Sequence, residues 1–85
     1  MKKEEIGLKV LELLEKSELI PRDLYQEKLE YRYLDEGHID SFDLFNFIVE
    51  IEVVFNITLS PEDTQSDDFR TPGGVVTLVC KRLTK

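Results

Sequence analysis

The sequence holds one cysteine, Cys80, and one histidine, His38. A single cysteine excludes an internal disulfide framework, and no Cys/His cluster offers a structural zinc site. One histidine is also too few for a histidine-based metal centre. No stretch approaches the roughly 18 consecutive apolar residues of a membrane span. The opening MKKEEIG has two lysines, but acids follow them rather than the apolar core of a signal peptide. The expectation is a cytoplasmic protein without membrane insertion. No G-x-S-x-G, P-loop, H-E-x-x-H or C-x-x-C motif occurs, so a stand-alone enzyme is the least supported class. The acids also lack the spacing of an EF-hand loop, so no calcium site is expected.

The most informative absence is one of charge. Residues 35–68 contain no lysine or arginine, yet carry ten acids: Asp35, Glu36, Asp40, Asp43, Glu50, Glu52, Glu62, Asp63, Asp67 and Asp68. The other fifty-one residues hold eight acids and all eleven bases, so the net charge of −7 is concentrated in the middle of the chain. Such a field repels nucleic acid and steers basic protein surfaces toward it. The plainer reading, that acids keep a small domain soluble, suits most of these residues singly and the block as a whole less well.

Eighty-five residues with 41% apolar side chains suffice for one domain, 1–85, with one modest core. Residues 2–16 read as an amphipathic helix, because Ile6, Val10, Leu13 and Leu14 share one face. Glu5–Lys9 and Glu12–Lys16 are spaced for ion pairs on its wet side. Residues 17–40 read as a long connection. Within it Pro21 is placed to open a short helix containing Leu24, Tyr25 and Leu29. Tyr31, Tyr33 and Leu34 are expected to pin the following segment to the core, and Gly37 marks a turn. The stretch SFDLFNFIVEIEVVF, residues 41–55, reads as the central helix, with Leu44, Ile48, Ile51 and Phe55 in one stripe and Phe47 beside it. Asn56 suits a left-handed terminator. Phe42, Phe45, Val49 and Val53 form a second apolar stripe. It either packs under the 17–40 connection or meets a partner.

Ser60-Pro61 with Asp63 reads as a weak capping box opening a short helix, and Thr71-Pro72 as the start of the last one. In that helix Val75, Val79 and Leu83 make a stripe with Leu78 beside it, and Cys80 is a small core residue. Lys81, Arg82 and Lys85 gather where the helix dipole favours positive charge. The β-branched runs VVFNITL and VVTLVC would suit strands by propensity. Two strands without a third make a poor sheet, however. The reading is therefore all-α, with a small α+β fold as the alternative.

The remaining question is the serine in GHIDSFDLFNF, residues 37–47. Aspartate caps a helix as well as serine does. If Asp40 caps, Ser41 occupies the first helical position and its hydroxyl stands free beside the unpaired amides of the first turn. Those amides and the dipole favour a bound or attached phosphate. If Ser41 itself caps, that argument weakens. By spacing alone an ordinary helix start is the better reading.

From Leu34 to Phe69 the chain resembles an acyl carrier protein. Asp40-Ser41-Phe42 stands where that family has Asp-Ser-Leu at the start of its second helix. The preceding Gly37-His38-Ile39 is similar to the form common in free-standing carriers, D-alanyl carrier proteins included. Glu52-Val53-Val54-Phe55-Asn56-Ile57 falls, without a gap, where the family has Glu-Glu-Glu-Phe-Gly-Ile. Ser60-Pro61-Glu62-Asp63 and Phe69-Arg70-Thr71-Pro72 resemble the segments that open the third and last helices, and helix I fits by pattern only. The resemblance implies a four-helix acyl-carrier-type bundle with a long loop between helices I and II and a short helix III. It implies 4′-phosphopantetheine on Ser41, next to Asp40. A phosphopantetheinyl transferase would attach the group from coenzyme A, and its thiol would then carry an acyl or aminoacyl thioester. It also implies docking of loading enzymes and downstream transferases, through basic patches, on Asp35, Glu36, Asp40, Asp43 and Glu52.

Phe42 departs from the usual leucine, and Asn46 and Val53 stand where many fatty-acid carriers have acids. Phe42, Phe45, Val49 and Val53 would then give an apolar docking stripe suited to a dedicated partner. The expectation is a monomeric, non-catalytic carrier. A discrete acyl carrier is favoured over an aminoacyl or D-alanyl carrier. An interaction module that keeps the carrier fold without the modification is the competing class. His38 is a candidate phosphate contact, although a solvated loop histidine is the commoner case. Phe47, Ile51 and Phe55 either line a pocket for the cargo or fill it.

Overall fold

A computed structural model describes residues 2–16 and 18–83. Among them every regular element is helical, in the order α1 (Lys3–Leu14), α2 (Tyr25–Leu29), α3 (Ser41–Phe55), α4 (Pro61–Gln65), a 3₁₀ turn (Asp67–Arg70) and α5 (Pro72–Leu83). The all-α expectation holds. Three helices are long, α2 and α4 have five residues each, and the 3₁₀ turn was not anticipated. The run VVTLVC lies inside α5, where its valines Val75, Val76 and Val79 serve as core contacts while Thr77 is exposed.

α1 lies against both α3 and α5, and the 3₁₀ turn packs on α5. The core joins Ile6, Val10 and Leu14 of α1 to Phe47, Ile51 and Phe55 of α3 and Val75, Val76, Leu78 and Val79 of α5. Tyr33 and Phe69 close it from the connecting segments, each fully buried. Aromatic edges link these layers: Phe47 stands 6.0 Å from Tyr33 and 6.0 Å from Phe69, centroid to centroid.

Sequence patterning located most of this core and missed parts of it. Leu11 and Val76 are buried although they lie off the expected stripes, while Leu83 ends α5 exposed. Lys85 lies outside the described residues. On α1, Lys9 pairs with Glu12 rather than Glu5, and Lys16 reaches across to Glu50 of α3. Side chains at i,i+3 are as close as those at i,i+4, and a tertiary partner competes with both. Pro21 does not open α2. Three residues separate it from Tyr25, and extended Leu24 precedes the helix.

The helix ends follow their local chemistry. Ser60 Oγ accepts from Asp63 N at 3.1 Å while Asp63 Oδ2 accepts from Ser60 N at 3.0 Å, which completes the capping box of α4. Thr71 Oγ1 accepts from Gly74 N at 3.0 Å at the start of α5. Asn56 ends α3 in the left-handed region, φ 55° and ψ 50°. Asp63 also receives Arg82, which ties the last turn of α5 to α4.

Candidate functional site

The start of α3 resolves which residue caps. Asp40 is extended, and its Oδ1 accepts from Asp43 N at 2.8 Å, while Leu44 N bonds to the Asp40 carbonyl at 2.8 Å. Ser41 is the first helical residue and is exposed. Among the described residues its hydroxyl has no protein partner. The amides of Ser41 and Phe42 precede the first intrahelical bond and remain available. An exposed hydroxyl thus sits beside two free N–H groups at the positive end of a fifteen-residue helix.

The loop before it is ordered by its own backbone. Glu36 N donates to the Arg32 carbonyl and His38 N to the Tyr33 carbonyl, each at 2.9 Å. Gly37 makes the reversal at φ 70°, which costs a side-chain-bearing residue about 1 kcal/mol or more. His38 packs edge-on against Tyr31 at 5.9 Å, and its Nε2 is enclosed without a hydrogen-bond partner. That nitrogen is therefore not free to reach a phosphate on Ser41.

The acids named for docking differ in setting. Glu36 and Asp40 are exposed, and Asp43 is half-buried. Asp35 is held by both Arg32 and Arg70. The hydrogen bond from Arg32, with the charges of both arginines, keeps its carboxyl below the ordinary carboxylate range. Glu52 is half-buried, and its Oε2 accepts from Leu59 N at 2.8 Å, so it ties α3 to the segment that follows it. Sequence separation hides such uses. Arginines outside the acidic block fold back onto it, and Lys16 does the same at Glu50. Arg70 and Tyr33 were not among the candidate site residues. Both act on the loop that carries Ser41 through contacts about thirty-five residues away in the chain.

The second apolar stripe is open. Phe42 is 73% exposed, Phe45 64% and Val53 73%, with Val49 also exposed, so the 17–40 connection does not cover them. The four side chains fall on one face of α3 and begin one residue after Ser41. A cleft of about 310 Å³ between α1 and α3, bordered by Leu13, Ile39, Asp43, Asn46 and Phe47, opens beside the same first turns. A larger hollow of about 660 Å³ involves Lys3, Tyr25, Leu29, Gly73 and Val76 and no residue of α3 or its preceding loop. Its size therefore says nothing about Ser41. Phe47, Ile51 and Phe55 fill the core, and only Phe47 touches the cleft.

Among the described residues no group of three or more Cys, His, Asp or Glu side chains converges as a metal site, and no helix is long and apolar enough to cross a membrane. No protein-family model matches the chain, and no solved structure matches it. Curated proteins do. D-alanyl carrier proteins of Bacillus cereus (strains B4264 and AH187) and of Bacillus anthracis (strain CDC 684) are each 33% identical over 67 residues, which is 79% of this chain and 82% of theirs. With an identity of that level over about four-fifths of both chains, the chain belongs to the acyl-carrier-like family of carrier proteins.

Proposed function

We propose that this carrier holds its cargo as a thioester on 4′-phosphopantetheine attached to Ser41, within an acyl-carrier-type bundle. The observation that carries the reading is the division of labour at the start of α3. Asp40 supplies the cap, so the Ser41 hydroxyl is exposed and uncommitted. In the transfer, Ser41 Oγ attacks the pantetheine-side phosphorus of coenzyme A. A Ser–O–P bond forms, the pyrophosphate P–O bond breaks, adenosine 3′,5′-bisphosphate leaves, and the serine proton passes to the transferase. The free amides of Ser41 and Phe42 favour the phosphodiester charge that results. When bound, the group supplies the terminal thiol that accepts the cargo. The chain contributes the serine nucleophile, position and recognition; catalysis of each bond-making step belongs to the partner enzymes.

The named relatives support D-alanine as the cargo, loaded by an adenylating enzyme. The α1–α3 cleft beside the serine's first turns supports a second reading, in which a short acyl group is carried. The acids Glu36, Asp40 and Asp43 would steer basic partner surfaces, and Phe42, Phe45, Val49 and Val53 would provide the contact area.

The deciding experiment is intact-mass analysis after incubation with coenzyme A and a broad-specificity phosphopantetheinyl transferase, with Ser41→Ala in parallel. A gain of one phosphopantetheine in the parent and none in the variant is expected. An unmodified, folded parent across several transferases would overturn the reading in favour of an interaction module. Charging the holo form with ATP, D-alanine and a D-alanine-adenylating ligase, against an acyl donor with its transacylase, then separates the two cargoes.

A further inference from the structure

The loop that delivers Ser41 is held from outside by the 3₁₀ turn Asp67–Arg70. Two ties cross between them. Tyr33 donates its hydroxyl proton to the Phe69 carbonyl inside the core, and Arg70 Nη1 reaches Asp35 Oδ1 at 2.6 Å. Arg32 engages the other oxygen of Asp35, and Arg70 Nε also lies 3.5 Å from Asp67. The turn is itself seated on the first turn of α5. There the backbone approaches so closely that a Cβ on Gly74 would lie 1.7 Å from the Asp68 carbonyl oxygen. Position therefore passes from α5 to the 3₁₀ turn, from Arg70 to Asp35, and from Asp35 along five residues to Ser41.

We propose that Arg70 is a positioning residue for the chemistry at Ser41: through Asp35 it fixes the 32–40 loop and so sets how the serine is presented. The proposal rests on the reading of Ser41 as the attachment site. It also reassigns Asp35. A carboxylate held between two guanidinium groups offers a basic partner little attraction, so Asp35 acts on the loop rather than as a docking acid.

The two roles differ in sign. Removing Arg70 makes the protein more acidic, which speeds encounter with a basic partner if charge steering governs the rate. It slows modification if Arg70 positions the loop. The test measures kcat/KM and KM for phosphopantetheine incorporation into the full chain carrying Arg70→Gln, Asp35→Asn or both, together with amide hydrogen exchange at Gly37 and His38. Each single variant is expected to lower kcat/KM about two- to fivefold, the range that the energy of an exposed ion pair allows. Each should also speed exchange at both amides. The double variant should be no worse than either single one, because both delete the same contact. Arg70→Lys should restore part of the rate.

An Arg70→Gln rate equal to or above the parent's, or unchanged exchange at Gly37 and His38, overturns the proposal and leaves the Ser41 reading standing. A parent that takes no phosphopantetheine overturns both.

Discussion

Phe45 and Phe47 lie two residues apart on α3, and their replacement by alanine should have opposite consequences. Phe47 is 3% exposed and touches Tyr33 and Phe69, whereas Phe45 is 64% exposed. Deleting a buried phenylalanine costs about 3–5 kcal/mol in lost transfer energy and cavity formation. Two aromatic contacts disappear with it, which places Phe47→Ala toward the upper end. A domain of this length has a total stability of about 4–13 kcal/mol at 0.05–0.15 kcal/mol per residue, so the variant loses a third or more of its stability. Phe45→Ala should stay within about 0.5 kcal/mol of the parent, as surface substitutions generally do. Urea unfolding followed by far-UV circular dichroism checks both. The Phe47→Ala midpoint should fall by more than about 1 M at unchanged slope, and the Phe45→Ala midpoint should not move. Transfer of cargo from the holo form to its downstream enzyme should fall about tenfold or more for Phe45→Ala, as for an aromatic interface anchor. Equal destabilisation of the two variants would refute the helical phase assigned to α3. Unimpaired transfer by Phe45→Ala would refute the docking stripe.

Asp40→Ala should cost about 1 kcal/mol through the lost cap, while Asp40→Asn keeps most of it, and chemical denaturation of the two side by side checks this. Gly74→Ala should destabilise by about 1–3 kcal/mol despite alanine's better helix propensity, because its Cβ meets the Asp68 backbone rather than a movable side chain; the melting temperature reads the sign. Acid should weaken the fold through Asp63. The Ser60 amide first, and then Arg82, hold its carboxyl below the ordinary value of 3.8. A lowered folded-state pKa stabilises above the unfolded-state value and loses that contribution as pH falls through the folded-state one. Stability should therefore be level above about pH 5 and decline below about pH 4. Arg82→Gln should flatten part of that decline in denaturation curves taken across the range.

The sequence by itself determined the helical class, the span of α3 and the chemistry of its ends. These depend on local rules: apolar spacing on one face, aspartate before the first turn, asparagine in the left-handed region after the last. It also singled out Ser41, because the Asp-Ser pair and the ungapped match through Ile57 lie within a short window. Tertiary structure decided what local rules leave open. Phe42 and Phe45 are apolar on a helix apolar around much of its circumference, and only the placement of α1, α5 and the long connection shows that they face outward. Asp35 and Glu52 read as free surface acids in an acidic block. Folding brings Arg70 to the first and the Leu59 amide to the second. Hydrophobic periodicity says that a face is buried but not which distant residue lies opposite it. An ion pair or a hydrogen bond across thirty-five residues leaves no periodic trace, so it becomes legible only once the chain has folded.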